Sequence, residues 1–221
     1  MSHDSITLRR AVGAALTIGL ALASPAIAGP PLLCHPFDIG NARSLPWDGT
    51  KAFWQGRADY DVANLVSDTD ALLTPSTPVI VRMETLRRAA FYASRDDRVL
   101  AELYGRISDR ARMAEKAGRK DALAFLDAGV LTEALHEIAQ LDGMAEFRGR
   151  GPAIRAVIRD AEGYSLVQKS LAARPGDPQI EFAAALVAME SNRQAYLEHA
   201  EKAKAAAGRD DLIARNVRQL S

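Results

Sequence analysis

The stretch FAAALVAM, residues 182–189, decides the fold class of this 221-residue chain, because it is apolar all round. A segment of that kind is typical of a helix that is buried on most sides. Elsewhere apolar residues recur at helical spacing, and no window shows strand-like alternation over more than a few positions. The sequence therefore predicts an all-α fold of stacked helical hairpins, arranged as a solenoid or a compact helical stack.

Helical periods can be followed from this stretch in both directions. They cover residues 79–90, 100–114, 123–141, 154–171, 196–207 and 213–220. A shorter helix is predicted over about 59–73. Thr77 followed by Pro78 predicts the next helix start, since a Thr oxygen can cap free amides and Pro suits the first helical position. The sequence RGRGP at 148–152 is the clearest internal break, at which the helical domain, residues 58–221, could divide into two units of packing.

The charge balance and the single cysteine exclude several classes of protein. The chain has 28 basic and 28 acidic residues. It therefore lacks the long-range attraction that a dedicated binder of nucleic acid or anionic membranes needs. One cysteine cannot form an internal disulfide framework. We expect a folded protein that does not bind nucleic acid.

Residues 1–28 have the three parts of a secretory signal. An arginine pair at 9–10 supplies the positive region, an apolar stretch covers 11–23, and AIA at 26–28 forms a small-x-small cleavage site. The apolar run is short for a stable transmembrane helix, and no later segment could serve as one. We expect cleavage after Ala28, a periplasmic or secreted protein, and no transmembrane span after cleavage. An uncleaved membrane anchor is the alternative.

Residues 161–178 consist of an apolar helix that ends at a proline, followed by a polar turn. This segment resembles the second helix and linker of a tetratricopeptide repeat. The segment 180–188 then resembles a first helix, with Ala185 where the family prefers a small residue, and 196–207 resembles its partner. Across residues 161–207 the resemblance implies helical hairpins that stack on their neighbours and present a groove to a protein or peptide partner.

Residues 29–57 show no helical period and are predicted to form an irregular segment, which we call the leader. It holds four large aromatic residues, whereas the helical domain contains no Trp. They are Phe37, Trp47, Phe53 and Trp54. These side chains could pack on the first helices and cap the stack. Alternatively, Trp47, Trp54 and the neighbouring Asp48 could form a recognition surface for a partner.

Cys34 and His35 form the pair most suggestive of metal binding, because thiolate and imidazole are ligands of zinc and copper. A protein metal site normally needs at least three ligands, and only Asp38 lies nearby in sequence. The alternatives are a partly buried Cys beside a surface His, and an intermolecular disulfide, which an oxidising compartment would allow. Lipid attachment at Cys34 is disfavoured because Leu33 precedes it where a small residue is required.

Residues 106–120 hold six basic residues against two acidic ones. This surplus could receive an acidic partner, with Arg110 and Arg112 as the candidate binding residues. The alternative is purely structural, because the helix dipole favours cations near a helix C-terminus.

Further upstream, Arg82, Arg87 and Arg88 predict a second basic face, and Arg82 is a further candidate for partner binding. Glu84 lies four residues before Arg88, a spacing that predicts a surface ion pair on a helix. We expect this face to be exposed.

Glu133 and His136 have the E-x-x-H spacing of carboxylate-bridged di-iron bundles. Such bundles need two copies of the motif and two further glutamates, and only one copy occurs here. We therefore expect Glu133, His136 and the adjacent Glu137 to lie on an exposed polar helix face. His199 is likewise expected to be exposed or to face a groove.

The sequence contains no catalytic constellation and no cofactor motif, so we predict no catalytic residue and no cofactor. The first functional hypothesis is an exported helical-repeat scaffold that binds a protein or peptide partner. The alternative is an enzyme or a metal- or ligand-binding accessory protein with a site between the leader and the helices. That site would use Cys34, His35 and Asp38, and His136 could join them.

Overall fold

A computed structural model describes residues 29–48 and 52–221, and within them the chain forms nine α-helices. The helices are α1 (Leu65–Leu72), α2 (Val79–Ala93), α3 (Asp97–Lys116), α4 (Ala122–Gln140), α5 (Gly151–Ile158), α6 (Gly163–Ala173), α7 (Pro178–Ala188), α8 (Arg193–Lys204) and α9 (Asp211–Asn216). Strand-type pairing in the described ranges is limited to one isolated bridge between Trp47 and Gly56. The all-α prediction is confirmed, while the predicted signal, residues 1–28, lies outside the described residues.

Helices α2, α4 and α7 form the centre of the fold, because they contact one another and are buried along most of their length. Every residue from Ile180 to Ala188 in α7 is buried, as the apolar stretch predicts. Helix α6 lies on α4, and α8 lies on α7. Apolar residues on both sides of the 148–152 break join one continuous core. Across the described part of the chain, no helix is long and apolar enough to cross a membrane.

Two of the predicted helical periods are interrupted. Over 59–73, the Asp61 side chain caps a 3-10 turn, and the α-helix begins only at Leu65. Over 154–171, α5 ends before Arg159, whose φ of 51° is a left-handed conformation that a right-handed helix cannot continue through. The single predicted period is therefore two helices, α5 and α6.

The start of α2 is stabilised by a distant residue. The predicted Thr77 cap is wrong, because the Thr77 hydroxyl donates to the Leu72 carbonyl at 2.7 Å and Pro78 precedes the helix without a side-chain cap. Gln179 of α7 supplies the missing acceptor, with its amide oxygen 3.1 Å from the Ile80 nitrogen. An orphan N–H of one central helix is thus satisfied by another central helix.

Helices α4 and α6 approach each other closely at a pair of glycines. A Cβ on Gly129 would lie 2.7 Å from the Gly163 carbonyl oxygen and 2.7 Å from a Val167 methyl group. A Cβ on Gly163 would in turn lie 2.7 Å from the Gly129 carbonyl oxygen. Because backbone atoms are involved on both sides, any side chain at either position would force the two helices apart.

We expect Gly129→Ala to lower the free energy of unfolding by about 1–3 kcal/mol, as overpacking of a tight interior does. Gly105→Ala in α3 is the matched control, because a Cβ there meets nothing within 4 Å. Since Ala is a better helix former than Gly, the control should stabilise the protein by up to about 1 kcal/mol. Urea unfolding of both variants measures the difference, and effects of the same sign would contradict the close contact.

The leader packs its apolar side chains on the central helices, as the packing interpretation predicts. Four of these side chains are buried: Leu32, Leu33, Phe37 and Leu45. The Phe37 ring meets Phe182 of α7 edge-on, with ring centroids 6.1 Å apart. Trp47 stacks at a tilt on Phe91 of α2, with centroids 5.7 Å apart. The leader therefore covers one side of the core.

Two buried charges of α2 hold the leader by its backbone. Glu84 accepts the Phe37 N–H at 3.0 Å, and both of its oxygens accept from the Arg87 guanidinium at 2.8 Å. Arg87 also donates to the carbonyl oxygens of Leu33 and Phe53, at 3.3 and 3.0 Å. Each buried charge is therefore fully hydrogen-bonded, but only while the leader is in place.

The exposed basic face predicted for α2 is therefore wrong, whereas the predicted Glu84–Arg88 ion pair is present, with Arg88 Nε 2.6 Å from a Glu84 oxygen, but is largely buried. Glu84 and Arg87 are at most 1% exposed, and Arg88 reaches inward to the Leu45 carbonyl at 2.6 Å. Burial raises the pKa of Glu84, but hydrogen bonds and charge from Arg87, together with Arg88, outweigh it and hold the pKa below its ordinary value. The carboxylate stays ionised inside the protein.

Helices α4 and α9 hold two further points of the leader. Glu137 of α4 is buried and accepts the Leu32 N–H with both oxygens at 3.1 Å. Burial raises its pKa well above the ordinary value. Asn216 of α9 accepts the Asp38 N–H at 2.8 Å and donates to the Asp38 carbonyl at 2.9 Å. The leader is thus fixed through main-chain atoms by three helices.

Candidate functional site

A cleft of about 700 Å³ opens where the ends of several helices meet. We call it the Arg110 cleft. Its walls come from the loop after α1, the middle of α3, the first turns of α4 and the end of α6. The lining residues are Leu73, Pro75, Arg82, Arg110, Lys120, Asp121, Ala122, Leu123, Ala124, Asp127, Ala173 and Arg174. Four of them are cations and two are carboxylates, a formal surplus of two positive charges.

Arg82 and Asp127 form a buried ion pair at the base of the cleft. Arg82 Nε and Nη2 lie 2.7 and 2.6 Å from the two Asp127 oxygens, and Arg82 Nη1 donates to the Thr74 carbonyl at 2.6 Å. Burial raises the pKa of Asp127, and the hydrogen bonds from Arg82 oppose that shift. Arg82 is only 2% exposed, so its predicted role as an exposed binding residue is wrong. Its guanidinium is already paired with Asp127.

Arg110 lies farther from its neighbouring carboxylates than Arg82 does from Asp127. Its Nη2 lies 3.4 Å from Asp127, and its Nη1 lies 3.7 Å from Asp70. Arg82 is closer to Asp127, and Arg106 is closer to Asp70, at 2.6 Å in each case. Arg110 Nε has no hydrogen-bond partner within the described residues, and 31% of the side chain is exposed. Both neighbouring carboxylates are therefore neutralised by other arginines, which leaves Arg110 as the surplus cation.

The remaining charges of the cleft reinforce this surplus. Lys120 is exposed and makes no ion pair with any residue that the structure describes. Arg174 lies 3.5 Å from Asp177, a long contact at an exposed position. The Asp121 carboxylate is occupied as the cap of α4, since it accepts the Ala124 N–H at 3.0 Å. The cations of the cleft are thus more available than its carboxylates.

A second cleft of about 560 Å³ continues from the first and shares Pro75, Leu123 and Arg174 with it. Its carboxylates are also occupied. Asp177 caps α7, while Asp210 caps α9 and accepts from the Gln179 amide at 2.8 Å. The two clefts together form a groove along one end of the helical stack.

The other partner-binding candidates do not line the Arg110 cleft. Arg112 is exposed on α3 and pairs with Asp109 on the same helix. Trp47 and Asp48 line a separate cleft of about 540 Å³. The Trp54 ring is half-buried between Phe53 and Phe147. Of the partner-binding candidates, Arg82 and Arg110 alone line the Arg110 cleft, while Trp47 and Asp48 share the separate one.

Cys34 and His35 lie at the start of the leader. Burial, together with the charge of Glu137, raises the pKa of the Cys34 thiol to about 11, so the thiol stays protonated at neutral pH. Across residues 29–48 and 52–221, no group of three or more His, Cys, Asp or Glu side chains is placed to hold a metal ion. The candidate metal pair has no completing ligands in that part of the chain.

The exposed polar face predicted around Glu133 and His136 is also wrong. Glu137 is buried under the leader, and the Glu133 carboxyl has a raised pKa because it is largely buried. His136 Nε2 lies 2.9 Å from the Ala161 carbonyl oxygen, in the turn between α5 and α6. These side chains join elements of the fold and do not line the groove.

A buried hydrogen-bonded triad joins α6, α7 and α8. His199 Nδ1 lies 2.5 Å from a Glu181 oxygen, and His199 Nε2 lies 3.0 Å from the Tyr164 hydroxyl. His199 is 8% exposed, so the expectation that it is exposed or faces a groove is wrong. The triad satisfies polar groups between packed helices, which buried polar side chains require.

Asp127 and Arg174 line the cleft, but the sequence did not predict a binding role for either residue. Asp127 lies in an apolar segment of α4, and Arg174 ends a helix 64 residues after Arg110 by residue number. An acidic residue within an apolar helical segment is a signal that a buried cation faces it, but the sequence does not identify which one.

No family model matches the chain, and neither a curated protein nor a solved structure matches it.

Proposed function

We propose that this chain is an exported helical-repeat scaffold that binds an acidic segment of a protein or peptide partner, without catalysis. The observation that carries the proposal is the positive charge of the Arg110 cleft, whose carboxylates are already bound to Arg82 or to a helix N-terminus. Charge complementarity of this kind speeds encounter with an acidic partner and selects against other partners.

The groove geometry supports a chain-like occupant. The second cleft continues from the Arg110 cleft past Leu123 and Arg174, so an extended segment can lie across both. Four prolines line the groove, at 75, 78, 175 and 178. Extended peptides commonly bind in such preformed grooves.

Two sequence features support the rest of the proposal. The signal pattern of residues 1–28 supports export to the periplasm or secretion. The tetratricopeptide-like segment 161–207 supports a repeat scaffold, and it corresponds to the packed helices α6, α7 and α8. Repeat scaffolds use the surfaces between stacked elements to bind partners.

The proposal predicts that purified residues 29–221 bind a fluorescent Glu-rich octapeptide at least about tenfold more tightly than its Gln-rich counterpart. Affinity should fall as salt rises, since exposed charges are screened. Fluorescence anisotropy measures both effects. A Lys-rich octapeptide that binds as well as the Glu-rich one would refute the proposal.

A matched pair of double variants locates the binding site. Lys120→Glu with Arg174→Glu reverses two charges inside the cleft, and we expect it to abolish binding of the Glu-rich octapeptide. Arg112→Glu with Lys116→Glu reverses two charges at exposed positions outside the cleft, and we expect it to weaken binding less than threefold. Equal losses in the two variants would indicate a general charge effect and no site.

A further inference from the structure

We propose that Arg110 is the anchor of the acidic partner and that it receives one carboxylate group through the two terminal nitrogens of its guanidinium. The inference rests on the proposed function and names the residue and the chemical group that decide specificity. Lys120, as a compact point charge near the same cleft, attracts the acidic segment without fixing its orientation.

Arg110 is the middle member of a chain of five charges that joins four helices. In order, the members are Arg106, Asp70, Arg110, Asp127 and Arg82. Three cations thus share two carboxylates. The outer arginines approach their carboxylates to 2.6 Å, whereas Arg110 stays 3.4 and 3.7 Å away. An incoming carboxylate can therefore bind Arg110 without breaking a short ion pair.

The hydrogen-bonding capacity of Arg110 also remains largely unused. Each terminal nitrogen of a guanidinium carries two N–H groups. Each can keep its distant aspartate and still donate to a ligand. A planar carboxylate matches the spacing of two such donors, which gives paired charge-assisted hydrogen bonds.

The charge of the chain favours a single carboxylate over a phosphate. Three cations and two carboxylates leave one net positive charge, which a carboxylate monoanion neutralises. A phosphate dianion would bring a second negative charge beside Asp127, which is 1% exposed, and only the exposed Lys120 and Arg174 could offset it. The site is thus matched to Glu, Asp or a chain-terminal carboxylate.

The test compares two arginines of α3. Arg110→Gln removes the surplus cation, and we expect it to weaken binding of the Glu-rich octapeptide by about 10-fold to 100-fold, as loss of charge-assisted hydrogen bonds does. Arg112→Gln is the control, since it removes the same charge from an exposed residue that neither lines the cleft nor belongs to the chain of five charges. It should change affinity less than threefold. Arg110→Lys keeps the charge but loses the paired donors, and it should recover only part of the affinity.

The outcomes separate this inference from the proposed function. If the wild type binds the Glu-rich octapeptide but Arg110→Gln and Arg112→Gln weaken binding equally, Arg110 is not the anchor, although the function stands. An octapeptide with phosphoserine in place of one Glu should bind no tighter than the parent, and tighter binding would overturn the carboxylate assignment. Absence of any binding by the wild type would overturn both proposals. Thermal melts of every variant confirm that each one is folded.

Discussion

A protein that lacks residues 29–57 is expected to be at least about 6 kcal/mol less stable than residues 29–221 and to aggregate. Four buried leader side chains leave the core in this truncation, each worth about 1.5–3 kcal/mol of burial. They are Leu32, Leu33, Phe37 and Leu45. The apolar face that they cover becomes exposed, and contiguous apolar patches of this kind associate. The buried charges of Glu84 and Arg87 lose their backbone partners at the same time.

Circular dichroism melts and size-exclusion chromatography of residues 58–221 and 29–221 measure this effect. Asn41→Ala with Arg43→Ala provides the control, because both side chains are exposed in the leader and should be replaceable without loss of stability. If the truncated protein melted like the longer one and stayed monodisperse, the leader would be an independent arm and not part of the core.

Glu84→Ala is expected to lower the free energy of unfolding by about 3–5 kcal/mol, because it leaves the buried Arg87 guanidinium without its counter-ion. Arg87 loses both oxygens that it now binds at 2.8 Å, and the Phe37 N–H loses its acceptor. Glu102→Ala in α3 removes an exposed carboxylate and should change stability by no more than about 0.5 kcal/mol. Guanidinium chloride unfolding measures both variants.

Glu84→Gln refines this prediction. The amide oxygen can still accept the Phe37 N–H, but Arg87 would have no neutralising charge in its buried position. The free energy of unfolding of Glu84→Gln should therefore lie between those of the wild type and Glu84→Ala. If Glu84→Gln were as stable as the wild type, hydrogen bonding and not charge pairing would hold the leader.

The helical architecture was predictable because it depends on local patterns. The run at 182–189 is apolar all round, and α7 is buried from Ile180 to its end at Ala188. Helix ends were less predictable when their stabilising groups are distant. Thr77 has the right chemistry to cap α2, yet the acceptor that satisfies the Ile80 N–H is Gln179, 99 residues away.

The charged residues of α2 were the main error, and the reason is physical. Arg82, Glu84 and Arg87 look like a solvated helix face, since charges are rarely buried unless they are paired. Besides the local Glu84–Arg87 pair, their partners are Asp127 and the leader backbone, which only the tertiary fold brings close. The same limit applies to the cleft, because its surplus charge depends on which carboxylates are already bound.

The sequence shows which cations a segment contains, but it does not show which of them lacks a close carboxylate. The sequence identified Arg110 as one of six cations in residues 106–120. Only the distances single it out, because the carboxylates near it are held more tightly by Arg82 and Arg106.

The main-chain contacts of the leader also impose an order on folding. Glu84, Glu137 and Asn216 are 47, 105 and 178 residues from the leader positions that they bind. During synthesis the leader emerges before all three helices that hold it, and Asn216 is the last of its three partners to emerge. Contacts between such distant positions form slowly, because the entropy cost of closing a long loop comes before the contact can stabilise the fold. The leader is thus made well before the residues that fix it, and until then its apolar side chains need protection from other chains.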